Sequence, residues 1–204
     1  LKSLIDNCKF CMGLDESRQY LNGIYLHLSK NIISTVATDG HRLSKSSLTK
    51  DFSGDFEGII IPKKTVFEIS KILEEYENKV ILNFSKTRLK IVLGDLKIIT
   101  KLINSSFPDY ESVIPTTNDQ IMIVDCKSFS ESIDRVSTIS SEKFRTVKFD
   151  ISSNVCVVSS FGSEKSIGTE NVKVDYSGPA FSINFNSRYV LDVLNIIKEG
   201  NVKF

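Results

Sequence analysis

The chain has 204 residues, 41% apolar and 25% charged, with ten glycines and four prolines, which excludes disordered, collagen-like and linker-like polymers. Its 26 basic and 25 acidic residues leave a net charge of +1, so a nucleic-acid surface, if present, must come from local arrangement. No apolar run approaches the roughly 20 residues of a membrane-spanning helix, nothing at the start has the order of a secretory leader, and four cysteines are few for this length, so a reducing, cytoplasmic setting without membrane partners is expected.

Leu1, Leu4, Ile5, Cys8 and Met12 recur at helical spacing opposite Lys2, Asp6 and Lys9, predicting a first helix. From Ile24 the period shortens to two: Ile24, Leu26 and Leu28 alternate with Tyr25, His27 and Ser29, the pattern of a half-buried strand. Further strands are predicted at 32–37, 42–46 and 58–61. Pro62 then opens a second helix, where its missing N–H costs nothing, with Val66, Ile69, Leu73 and Tyr76 buried and Lys64, Glu68, Lys71 and Glu75 exposed. Three more strands are predicted at 80–84, 88–93 and 96–102.

The order then restarts. Phe129, Ile133 and Val136 form a helical stripe opposite Lys127, Glu131 and Asp134, and strands follow near 146–151, 155–160, 168–175 and 180–185. Asn186 is placed to cap a helix that buries Val190, Val193, Leu194 and Ile197. Lys2-Ser3 recurs as Lys127-Ser128, Val66 as Val190 and Val80 as Val202, offsets of 122 to 125 that mark an internal repeat. The segment 107–118, with its Pro, Thr and Asn, is the expected connector, dividing the chain into 1–117 and 118–204. Net charge is +2 before Asp119 (16 basic, 14 acidic) and −1 from it onward (10 basic, 11 acidic), so neither part is a basic domain. The chain opens at Leu1 inside an amphipathic pattern and closes in a strand-like run, and the second unit lacks roughly 30 residues of the first by the repeat arithmetic; it is expected to be a piece of a longer protein.

Cys8-Lys9-Phe10-Cys11 has the C-x-x-C form of zinc and redox sites, but no second pair lies near it and both cysteines fall on or beside the apolar stripe, so they are expected in the core. Thr38-Asp39-Gly40-His41-Arg42-Leu43 suggests His41 as a base oriented by Asp39, yet Asp-Gly is first a turn signal and no nucleophile stands at a recognisable spacing. No Gly-rich phosphate loop, H-E-x-x-H or EF-hand loop is present, so no catalytic residue, cofactor or metal is expected. Lysines paired two turns apart (Lys2 with Lys9, Lys64 with Lys71) suit either a solvated face with ion pairs such as Lys64–Glu68 or the tracking of phosphates without base reading. Basic-plus-aromatic clusters before the first strand of each unit, Arg18-Gln19-Tyr20 and Lys143-Phe144-Arg145, suit either strand-entrance packing or nucleic-acid contact.

Six segments, taken in order, carry a resemblance: Tyr20-Leu21-Asn22-Gly23, Ala37-Thr38-Asp39-Gly40-His41-Arg42-Leu43, Ile61-Pro62-Lys63-Lys64, Phe107-Pro108-Asp109-Tyr110, Glu142-Lys143-Phe144-Arg145 and Tyr189-Val190-Leu191-Asp192-Val193-Leu194. Together they are similar to the bacterial DNA sliding clamps, the beta subunit of DNA polymerase III, along the whole chain. The resemblance implies an α+β fold of repeated clamp domains, each with two helices packed on antiparallel sheets, here the middle domain and a shortened third. It implies a non-enzymatic processivity ring, a homodimer around duplex DNA, that serves the polymerase III catalytic subunit, the clamp loader, other polymerases and repair proteins. The partner-peptide pocket it implies comprises Leu21, Thr38, Gly40, His41, Arg42, Leu43, Pro108, Val113 and Tyr189. DNA contact is implied for Arg18, Gln19, Tyr20, Lys63, Lys64, Lys143 and Arg145, and the dimer interface for Thr138 and Ile139. Asp15 and Gln19 depart from the family pattern of an amide and an aromatic, and a carboxylate beside phosphate is unfavourable. The alternative is a repeat-built protein-interaction domain that does not bind DNA.

Overall fold

Alternation of period two becomes a four-stranded antiparallel sheet near the start of the chain. The computed structural model describes residues 1–49, 56–140, 145–162 and 166–204, which form two compact units, Leu1–Ile114 and Pro115–Phe204. In the first unit β1 (Gly23–Ser29), β2 (Ile32–Thr38), β3 (Leu43–Thr49) and β4 (Phe56–Pro62) lie in the order β3-β2-β1-β4. Ile24, Leu26 and Leu28 face inward, leaving Tyr25 and His27 half-buried on the other face. The helix α2 (Lys63–Ile72) follows β4, and β5 (Val80–Phe84), β6 (Arg88–Leu93) and β7 (Leu96–Lys101) make an antiparallel meander. Val66 and Ile69 of α2, Leu89 and Ile91 of β6, and Ile5, Cys8, Ile24 and Leu26 fill one core. Burying such side chains supplies about 1.5–3 kcal/mol each against chain entropy.

The second unit contains β8 (Ile123–Asp125), α3 (Cys126–Ser137), β9 (Thr146–Ser152), β10 (Val155–Phe161), β11 (Ile167–Lys173), β12 (Phe181–Asn186), α4 (Ser187–Ile197) and β13 (Asn201–Lys203). Its sheet order, β11-β10-β9-β12, reproduces that of the first unit. Gly23 is matched by Thr146, Ile32 by Val155, Leu43 by Ile167 and Lys63 by Ser187 as element starts, offsets of 123 or 124. The repeat is therefore structural as well as sequential. Asp125 caps α3 by accepting from the Ser128 amide at 2.8 Å, and Asn186 caps α4 by accepting from the Arg188 amide at 3.0 Å, as its sequence position predicts. Phe129, Ile133 and Val136 are buried. The class is α+β, with antiparallel sheets covered by helices; no helix among the described residues is long and apolar enough to cross a membrane.

Four expectations change. The first helix is short, α1 (Lys2–Asp6), followed by a separate 3-10 turn at Lys9–Cys11: the Cys8 amide bonds the Ile5 carbonyl three residues back at 3.1 Å, tightening the chain, while its thiol donates to the Thr35 carbonyl at 3.3 Å. Pro62 is the last residue of β4 and the N-cap of α2 rather than its first turn, and Leu73 and Tyr76 lie past the end of α2, with Leu73 buried and Tyr76 half-buried. Val193 and Ile197 of α4 are 39% and 40% exposed, whereas their repeat counterparts Ile69 and Leu73 are 1% and 4% exposed. The reason is the neighbouring sheet: the first unit has the β5-β6-β7 meander at this place, and the second has only the β13-β8 pair among the described residues. Finally, the predicted Lys64–Glu68 pair does not form among the described residues, although both side chains are exposed.

Candidate functional site

The turn Thr38–Arg42 between β2 and β3 is held from within by its own side chains. The Thr38 hydroxyl donates to the Arg42 carbonyl at 2.7 Å and accepts from the Gly40 amide at 3.0 Å. Asp39 accepts from the amides of His41 (2.9 Å) and Arg42 (3.1 Å), and its other oxygen takes the Arg42 Nε at 3.1 Å. Arg42 also donates to the Phe10 carbonyl at 2.9 Å, with its guanidinium 5.3 Å from the Phe10 ring centroid. The guanidinium is thus engaged on one side, and its aliphatic stem is left to line a wall. Asp39 is a turn-former here, which agrees with the Asp-Gly signal.

Beside this turn lies a cavity of about 480 Å³ entirely within the first unit. Leu21, Thr38, Gly40, His41, Arg42, Leu43, Pro108 and Val113, eight of the nine expected pocket residues, line it together. Tyr189, the ninth, is half-buried on α4 of the second unit. Arg18, Tyr20, Asp109 and Tyr110 also line the cavity. The sequence does not assign Asp109 and Tyr110 to the site, and the one signal it offers for them is their adjacency to Pro108 in the Phe107-Pro108-Asp109-Tyr110 segment. Buried Leu21 and Tyr110 and exposed Val113 give an apolar lining of the kind that receives short peptide anchors.

Electrostatics separates the expected nucleic-acid residues. Asp15 caps the 3-10 turn Glu16–Leu21, accepting from the Ser17 amide and hydroxyl and from Arg18 Nε at 3.0 Å. Those contacts, the Ser17 hydroxyl first, hold its carboxyl below the usual range. Arg18 is therefore paired, Gln19 is exposed and Tyr20 is half-buried. Lys64 is exposed at the start of α2, while Lys63 is half-buried with its ammonium 5.9 Å from the Phe67 ring centroid. Arg145 has φ +43° and its carbonyl accepts from the Ser187 amide at 2.8 Å; with Thr138 it lines a second cavity of about 390 Å³ in the second unit. Ile139 is half-buried, its side chain lying against Gly168. Lys143 lies outside the described residues.

All four cysteines are buried, as expected for core positions. Burial pushes the Cys8 thiol up and the Cys156 thiol to about 12, the wrong direction for nucleophiles or metal ligands. Among the described residues no cluster of three or more His, Cys, Asp or Glu side chains is placed to hold a metal ion.

Two family models match the chain: the central domain of the DNA polymerase III beta subunit over residues 1–109, and its C-terminal domain over residues 111–204. The beta sliding clamp of Pseudomonas aeruginosa is 33% identical over 205 residues, covering 100% of this chain and 56% of that protein. The beta sliding clamp of Escherichia coli strain K12 is 34% identical over 203 residues, with the same coverage of each. Among solved structures, the DNA polymerase III subunit beta from Pseudomonas aeruginosa superposes with a TM-score of 0.96 at 31% identity, covering 100% of this chain and 56% of that one. A sliding clamp from Bartonella birtlesii bound to griselimycin gives a TM-score of 0.93 at 35% identity, again covering 100% and 56%. The chain spans about half the length of the curated relatives it matches.

Proposed function

The chain belongs to the DNA polymerase III beta subunit family, and from that premise we propose that it is the central and C-terminal part of a DNA sliding clamp. The full-length protein would close as a homodimeric ring around duplex DNA in the cytoplasm and hold the replicative polymerase on its template without catalysing any step. Retention by a closed ring is topological, so phosphate contacts need only be loose and independent of sequence. Arg18, Gln19, Tyr20, Lys63, Lys64, Lys143 and Arg145 are the proposed DNA contacts, and Thr138 and Ile139 the proposed dimer contacts.

The groove beside the Thr38–Arg42 turn is the proposed docking site for short peptides of the polymerase III catalytic subunit, the clamp loader, other polymerases and repair proteins. The observation that supports this is the convergence of Leu21, Leu43, Pro108 and Val113 with the Arg42 stem on one cavity. The test is fluorescence anisotropy of a labelled peptide carrying the partners' clamp-binding linear motif, titrated with the full-length protein. Griselimycin, which the Bartonella birtlesii relative binds, serves as a competitor. Saturable binding that weakens about tenfold in Arg42→Ala, the order expected for losing one well-packed interface side chain, supports the docking site. Binding indifferent to Arg42→Ala, or no binding, removes it.

The reading without DNA contact draws on the pairing of Lys2 and Lys9 with Asp6 and of Arg18 with Asp15, which leaves less positive charge for phosphate. Salt-sensitive association of the full-length protein with duplex DNA discriminates the two.

A further inference from the structure

The wall of the groove formed by residues 107–113 is connected to the sheet by an unusual means. Among the described residues its backbone hydrogen bonds are local, Val113 N to the Tyr110 carbonyl and Ile114 N to the Glu111 carbonyl. The Ser112 hydroxyl likewise donates to the nearby Asp109 carbonyl at 2.8 Å. What joins the segment to β1, some 80 residues earlier, is a ladder of side chains. The Tyr25 ring stacks on Phe107, with centroids 4.8 Å apart and planes 3° from parallel. His27 stacks on Tyr25 at 5.2 Å and lies 5.8 Å from the Tyr110 ring, with its Nε2 2.9 Å from the Tyr110 hydroxyl. Tyr110 continues the chain to Glu111 at 3.2 Å, and Lys45 of β3 donates to the same carboxylate at 3.4 Å.

The other side of the ladder is fixed as well. The Tyr25 hydroxyl donates to the Glu57 carbonyl, and its ring occupies the space over Gly58, where a Cβ would clash with it. Gly58 has φ +111°, so the position suits glycine in both backbone and space. Tyr25 is thereby held by contacts other than its stack on Phe107, and His27 lies between Tyr25 and Tyr110.

We infer that Tyr25 and His27 are positioning residues of the docking groove, setting the place of the wall that carries Pro108, Tyr110 and Val113 without themselves lining it. The inference rests on the docking reading for its consequence, but the anchoring can be measured without any ligand. In the full-length protein, His27→Ala should speed exchange of the hydrogen-bonded Val113 and Ile114 amides about tenfold, as expected for loosening a locally stabilised segment. It should also weaken the labelled motif peptide about fivefold, the order of one lost hydrogen bond. His27→Gln, whose amide can donate to the Tyr110 hydroxyl, should restore both to within about twofold. Unchanged exchange in His27→Ala, or exchange as fast in His27→Gln, overturns the anchor. Faster exchange with unchanged peptide affinity overturns the positioning role. A wild-type protein that binds no peptide overturns the docking reading, while the exchange arms still decide the anchor.

Discussion

Replacing Asp39 by Ala asks how much of the groove depends on one carboxylate. In the native turn Asp39 satisfies two backbone amides, those of His41 and Arg42, and one guanidinium N–H of Arg42. The two side chains are only 19% and 18% exposed, so the pair is shielded more than a surface salt bridge. Removing a side chain that caps orphan amides costs about 1 kcal/mol. The lost charge-assisted bond, made where water still has some access, costs about 1.5 kcal/mol more. The expected loss is therefore about 2–3 kcal/mol, enough to lower the melting temperature of a domain this size by about 10 °C. Asp39→Asn keeps an acceptor for the amides but loses the charge, and should cost about 1 kcal/mol. Calorimetry and urea denaturation of both variants measure these values. A loss below about 0.5 kcal/mol for Asp39→Ala would refute the reasoning, because the Thr38 hydroxyl bonds would then hold the turn alone.

His27 gives a pH dependence with a definite sign. Burial, reinforced by nearby Lys45 and opposed by Glu111, lowers its pKa below the ordinary value of about 6.5 that it regains on unfolding. The unfolded chain then binds the proton more readily, so this contribution is complete above pH 6.5 and is lost as pH falls from there toward the folded pKa. Unfolding free energies of wild type should decline relative to His27→Gln between pH 7.5 and 5, and a constant difference would contradict the assignment. Gly40→Ala should cost about 1 kcal/mol, because Gly40 has φ +91°, and a Cβ there would also stand 2.9 Å from Arg18 Nη1. Denaturation at full wild-type stability would show that the turn tolerates another backbone path.

Much of the fold was legible because its signals are local. The strands predicted at 80–84, 88–93 and 96–102 match Val80–Phe84, Arg88–Leu93 and Leu96–Lys101 almost to the residue, since alternating apolar runs flank a Gly94-Asp95 turn. Asn186 was readable as a cap because capping needs only the next two or three residues. The end of the first helix is illegible for the opposite reason: Cys8, where the chain tightens into a 3-10 turn, makes its thiol contacts with Thr35 and Ser44, 27 and 36 residues away. Strand β8, three residues long, is too short to show a period and exists because it pairs with β13, which the strand-like run at the end of the chain does announce. The groove was legible only through resemblance. Nothing in the spacing of Leu21, Arg42 and Pro108 brings them together; the pairing of β1 with β2 and the return of the 107–113 segment do.

The pairing of charges was the least legible feature, and it bears directly on the proposed ring. Lys2 and Lys9 look from sequence like a basic face, yet both meet Asp6, at 3.2 and 2.7 Å. Arg18 meets Asp15, and Arg42 meets Asp39. A cation already neutralised by a carboxylate displaces fewer counterions from DNA, and each phosphate contact thus lost removes about 0.9 from the slope of log affinity against log salt. The lysines of α2 differ: Lys64 and Lys71 are exposed, and the Glu68 that sequence spacing offers does not pair with Lys64 among the described residues. In the proposed ring, phosphate contact by the first unit would therefore rest more on the exposed lysines of α2 than on the carboxylate-paired Arg18. If the proposed ring moves along a duplex, a few weak contacts of this kind would suit it better than a continuous basic surface, because they can be exchanged one at a time as the helix passes.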